Sequence, residues 1–147
     1  MNDTVGWIIF LLVAWFGLRP LLRGFRSGLR GEGEERADGF WLEIVGEASY
    51  QRNLIKVAGP KHEDSAQVFA NATVAYEDDN PHDPKAVRVD IDGLTVGYLS
   101  REKARRWRSR VKVRQVTCQA VIRGGWDRGG GDHGNYGVWL RPPREFG

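Results

Sequence analysis

The residues best placed to do chemistry lie between two prolines. In the run Glu77-Asp78-Asp79-Asn80-Pro81-His82-Asp83-Pro84-Lys85, an amide, an imidazole and a carboxylate sit almost side by side. Pro81 and Pro84 cannot donate to a sheet ladder, and each biases the residue before it away from helix. Asn80, His82 and Asp83 are therefore held in a rigid link, and a rigid link loses little ordering entropy on binding. Such groups would hydrogen-bond a ligand. The plainer alternative is a well-formed turn, because Asn, Pro and Asp are ordinary turn residues. A second chemistry is metal-assisted hydrolysis of phosphate esters or anhydrides, with Asp78, Asp79, Asp83, Asp90 and Asp92 as the carboxylates. These acids fall on turns and on solvent-facing strand positions, with no nucleophile and base beside them, so an enzyme is not expected.

The rest of the chain narrows the chemistry further. The single Cys118 excludes a disulfide framework and a cysteine zinc site, and His62, His82 and His133 lack ligand spacing. The glycine-rich residues 124–135 contain no Walker lysine and open no helix, so they are not a phosphate loop. No metal or cofactor is expected. The net charge of +3 is unevenly distributed. Arginine and lysine crowd after the first apolar stretch and again between Arg101 and Arg114, which points to an anionic surface, nucleic acid or lipid headgroups. Aromatics that could stack on bases are Tyr50, Tyr98 and Trp126; each is equally at home in the core of a small barrel.

The elements that position these residues follow from periodicity. Residues 40–45 read as a first strand, with Leu42 and Ile44 on one face. Ser49 is placed to cap a short helix, with Tyr50, Leu54, Val57 and Ala58 at helical spacing and Gly59-Pro60 ending it. Strands are expected at 67–76, 86–91, 95–99, 111–122 and 136–140. Asp92-Gly93 is a strong two-residue hairpin signal. Ser100 caps a second helix, Arg101–Arg110, whose buried stripe is Ala104, Trp107 and Val111. Arg101, Arg105 and Arg108 lie among the basic residues covering the rest of that helix. Short strands with two small helices predict a mainly β chain, an OB-like or SH3-like barrel over 40–142, with 143–147 a frayed tail.

Residues 5–22 are apolar apart from Arg19 and would span roughly 27 Å as a helix, close to the bilayer core of about 30 Å. Their aliphatic and Phe residues favour insertion by roughly 3 to 5 kcal/mol in sum, enough to offset one arginine at the edge. A single N-terminal transmembrane helix is the expectation. Arg19, Arg23, Arg26 and Arg30 follow most of the segment and no Lys or Arg precedes it, which places the N-terminus outside and the remainder in the cytoplasm. Residues 23–39, rich in Gly, Arg and Glu, read as a flexible linker whose arginines face anionic headgroups.

Taken in order, Val45-Gly46-Glu47 with Tyr50, the run 77–83 with Ala86-Val87-Arg88-Val89, Val96-Gly97-Tyr98-Leu99 with Ala104, and Tyr136-Gly137-Val138 resemble a HIRAN domain. The resemblance covers about residues 41–140. It implies a compact OB-like barrel with small helices. HIRAN domains occur alone in bacteria and fused to Swi/Snf-type translocases in eukaryotes, where they recognise single-stranded DNA, including free 3′ ends at stalled forks, a setting of DNA repair. By position, the resemblance implies that Tyr50 sits in the nucleotide pocket and that Asn80 and Asp83 hydrogen-bond a terminal nucleotide. It further implies that His82 replaces an aromatic beside that nucleotide, Tyr98 follows the strand glycine and Arg101 meets a phosphate. Ala48 and Ser49 stand where end-binding relatives have a basic residue and an aromatic. The expected partner is single-stranded DNA or another nucleic acid, with the bilayer engaged by the N-terminal helix. The alternative is a membrane-tethered protein-interaction module without nucleic-acid activity.

Overall fold

A computed structural model describes residues 38–147. Six antiparallel strands form one sheet: β1 (Leu42–Glu43), β2 (Ala66–Glu77), β3 (Ala86–Ile91), β4 (Leu94–Tyr98), β5 (Gln115–Gly124) and β6 (Tyr136–Arg141). Their order is β1-β6-β5-β2-β3-β4. Helices α1 (Gln51–Ala58) and α2 (Arg101–Arg110) complete the domain. The sheet curls into a half-barrel because β2 is long enough to pair with β5 along one edge and with β3 along the other. Small inward residues at the crossing, Ala72 and Ala120, are fully buried and let the strands approach closely.

The two ends of the curled sheet touch. Val45 and Tyr98 form an isolated antiparallel bridge, with Val45 N–H donating to Tyr98 O at 2.7 Å and Tyr98 N–H to Val45 O at 2.9 Å. Gly97 makes that approach possible: a Cβ there would lie 2.7 Å from Val45 O. The Asp92-Gly93 turn follows its sequence signal, both residues having positive φ (51° and 75°), as a tight β3–β4 hairpin requires.

The core fills from the inward strand positions, including Leu42, Ile44, Val74, Val89, Ile122 and Leu140, closed by Leu54 from α1 and Trp107 from α2. Helix α2 forms as its sequence dictates. The Ser100 hydroxyl oxygen accepts from Lys103 N–H at 3.3 Å, and Ala104, Trp107 and Val111 are the buried stripe.

Several expectations need correction. Ser49 does not cap α1; it lies inside a 3-10 turn, Glu47–Tyr50, that begins after Gly46 in a left-handed conformation. The strand expected from residue 111 begins at Gln115, and only Leu42–Glu43 of the first strand pair along β6. The end of the chain is not frayed. Residues Arg144–Phe146 make a 3-10 turn, and Phe146, 1% exposed, packs on Trp107 at 5.0 Å and Trp41 at 5.8 Å between ring centroids. Burying one phenyl ring contributes about 1.5–3 kcal/mol, which holds a short tail that has no sheet partner. The expected membrane helix 5–22, and the linker as far as residue 37, lie outside the described residues. No helix among the described residues is long and apolar enough to cross a membrane.

Candidate nucleic-acid cleft

A cleft of about 300 Å³ opens where three stretches of chain meet, residues 45–50, 80–86 and 98–101. The 3-10 turn supplies Tyr50, the β2–β3 turn supplies Asn80, His82 and Asp83, β4 ends with Tyr98, and the start of α2 supplies Arg101. Six of the nine residues singled out in the sequence therefore line one cavity, and Arg105, Arg108 and Trp126 do not. The Tyr50 and Tyr98 rings stand 6.2 Å apart with planes tilted by 50°, too steep for one flat group to lie parallel to both. Burial, followed by hydrogen bonds with Tyr50 and Glu77, pushes the Tyr98 hydroxyl above its ordinary value. Tyr98 therefore stays a neutral donor at physiological pH.

The turn is fastened from inside. The Asn80 Oδ1 accepts from the backbone N–H groups of His82 (2.9 Å) and Asp83 (3.1 Å), while Asn80 Nδ2 donates to Glu77 Oε2 at 2.6 Å. Glu77 also accepts from Arg88 Nη1 at 2.8 Å, and Arg88 Nε reaches both oxygens of Asp90 at 3.0 Å. Thr95 Oγ1 donates to Asp90 at 2.9 Å. Burial pushes the Glu77 carboxyl up, but the hydrogen bonds from Asn80, Arg88 and Tyr98 outweigh it and hold Glu77 below the usual carboxylate range. Glu77 and Arg88 are the contributors that pattern reading missed. Glu77 stood in the motif as one of three consecutive acids, and only the strand register, which sets Ala75 opposite Arg88, turns it toward its partners.

Asp83 faces the basic helix. Its Oδ1 accepts from Lys85 N–H at 2.9 Å, its Oδ2 lies 3.1 Å from Arg105 Nη1, and Arg101 Nε is 3.9 Å away. The Lys85 amide first and the Arg105 guanidinium second hold Asp83 below the ordinary carboxylate value. The Arg101 side chain remains 76% exposed beside this carboxylate. Arg105 adjoins the cleft through Asp83. Arg108 does not line it: its guanidinium lies 4.2 Å from the Tyr76 ring centre, pairs with Asp78 at 2.7 Å and donates to Ala86 O at 2.8 Å. It fastens α2 to the end of β2. Trp126 is likewise elsewhere, its Nε1 donating to Asp132 within the glycine-rich loop at 3.0 Å.

Three of the five acids of the hydrolase reading pair with arginines: Asp78 with Arg108 and Arg114, Asp83 with Arg101 and Arg105, and Asp90 with Arg88. Among the described residues no three His, Cys, Asp or Glu side chains gather to hold a metal ion. Compared with protein-family models, with curated proteins and with solved structures, the chain finds no match.

Proposed function

We propose that this chain binds single-stranded nucleic acid in the cleft between Tyr50, Tyr98 and the Asn80–Asp83 turn. The observation that carries the reading is convergence. Two aromatic rings, a rigid polar turn and an exposed arginine come from three distant stretches of sequence to one small cavity. Stacking on one tyrosine is worth about 1–3 kcal/mol per base and tolerates any base. Arg101 supplies the phosphate contact. Asn80 works through its turn, because its amide already serves His82, Asp83 and Glu77. The HIRAN resemblance supports the same cleft and extends the reading to an OB-like barrel and to free 3′ ends.

The apolar residues 5–22 and the arginines after them support a domain tethered to a bilayer on its cytoplasmic side. The test is fluorescence anisotropy of the full chain in detergent with labelled single strands, blunt duplex and an acidic peptide. Preference for single strands over duplex and peptide is the expected result. Equal binding of all three would reduce the basic surface to a charge patch and favour the tethered interaction module.

A further inference from the structure

The outward face of the sheet leads away from the cleft to a second aromatic surface. Tyr98 of the cleft pairs with Arg88, and Arg88 pairs with Ala75 of β2. From Ala75, alternate residues of β2 share that face: Thr73, Asn71 and Phe69. Six residues of strand span roughly 20 Å. At the far end Phe69 is 62% exposed, while the apolar residues on the other face of the same strand turn into the core.

A cavity of about 390 Å³ lies at Phe69, with the exposed amides of Asn71 and Gln119 as a cross-strand pair on its floor. Arg141 borders it, donating to Gln119 Oε1 at 2.7 Å and lying 4.5 Å over the Phe40 ring. Phe40 in turn packs on Phe69 at 5.7 Å between centroids, bracing the exposed ring from one side.

The chemistry of this surface favours one occupant. The strand rows between Thr73 and Phe69 carry hydroxyls, amides and aliphatic groups on β2 and β5, with no carboxylate. At the far edge Arg123 pairs with the Asp38 carboxylate while Arg141 donates to the Asp38 backbone carbonyl, so two guanidinium groups border the surface there. The acids closer to the cleft, Glu77 and Asp90, are both paired with Arg88. An open ring, base-edge amides and guanidinium groups are the parts that bind an unpaired nucleotide. A folded hydrophobic partner would need a contiguous apolar patch, and here one exposed ring stands among polar groups.

We infer that a single strand longer than the cleft continues across this face of the sheet and stacks a base on Phe69, with its phosphates near Arg141. This rests on the proposed cleft and adds a second platform that sets the length of strand bound.

The test measures Kd of the full chain in detergent for thymidine oligonucleotides of about 4 and about 12 nucleotides, lengths that bracket the site sizes of single OB-type folds. Uridine oligonucleotides of the same lengths distinguish a DNA from an RNA source of the strand. Wild-type protein should bind the longer strand about tenfold tighter. Phe69→Ala and Phe69→Leu should both lose most of that gain while keeping the short-strand affinity, because Leu keeps the apolar bulk without the ring. A length gain that survives in both variants, or no gain in the wild type, overturns the second platform and leaves the cleft intact. No binding of either length by the wild type overturns the cleft and the platform together.

Discussion

Asn80 Nδ2 donates to Glu77 Oε2 at 2.6 Å, which ties the last residue of β2 to the turn that borders the cleft. Glu77 is the centre of that arrangement, because the same carboxylate accepts from Arg88. Replacing it by Gln keeps the shape but removes the charge. Hydrogen bonds to a charged group are worth about 1.5–3 kcal/mol, so Glu77→Gln should lower stability by about 1–3 kcal/mol. Thermal unfolding reads the loss, and oligonucleotide affinity should fall with it as the turn loosens. An unchanged Tm would remove Glu77 from the support of the turn.

The same residue gives a pH dependence with a definite sign. Its folded carboxyl lies below the ordinary value of 4.5. The stability it contributes is fully present above that value and is lost as pH falls through the lower folded value. Asp83 acts in the same direction, below its ordinary 3.8. The Tm of wild-type protein should therefore decline on acidification below the ordinary carboxylate range, and Glu77→Gln should decline less steeply. Parallel curves for the two proteins would contradict the assignment.

Much of this was legible beforehand, and the reasons differ by element. The Asp92-Gly93 hairpin and the Ser100-capped helix were legible because their signals are local: positive φ at two positions, a hydroxyl before a helical stripe. Of the six residues that line the cleft, Asn80, His82 and Asp83 were legible because prolines bracket them, while Tyr50, Tyr98 and Arg101 were singled out through the resemblance. The role of Arg108 was not, since an arginine on a basic helix gives no local sign that Tyr76 and Asp78 will claim it. Glu77, Arg88 and the Phe69 surface also depend on register between distant strands, which no short pattern encodes.

Phe146 lies a single residue from the chain end yet is 1% exposed between Trp41 and Trp107. A Phe146→Ala substitution should destabilise the domain by about 3–5 kcal/mol, the usual cost of emptying a buried aromatic site. Denaturant unfolding should report this as a lower midpoint with an unchanged slope. A loss below about 0.5 kcal/mol, typical of a surface change, would mean that the tail is not part of the core.

Gly97 tests the seam of the curled sheet. A methyl group there meets Val45 O at 2.7 Å and Ile44 Cδ1 at 2.8 Å. Gly97→Ala should push β4 from Val45, disturb Tyr98 at the cleft and destabilise by about 1–3 kcal/mol. Hydrogen exchange at the Val45 and Tyr98 amides, which form the bridge, should accelerate locally. Unaltered protection at both would contradict the close approach.

The most direct measurement of the central claim is the affinity of Tyr50→Ala for a labelled single strand, beside wild type, with circular dichroism to confirm the fold. Tyr50 is only half-buried in a 3-10 turn, so the fold should persist. Weakening by a factor of about 5–150 is expected, the loss of one base stacked on one ring. Wild-type affinity in a folded Tyr50→Ala protein would contradict the cleft as the site where the strand binds.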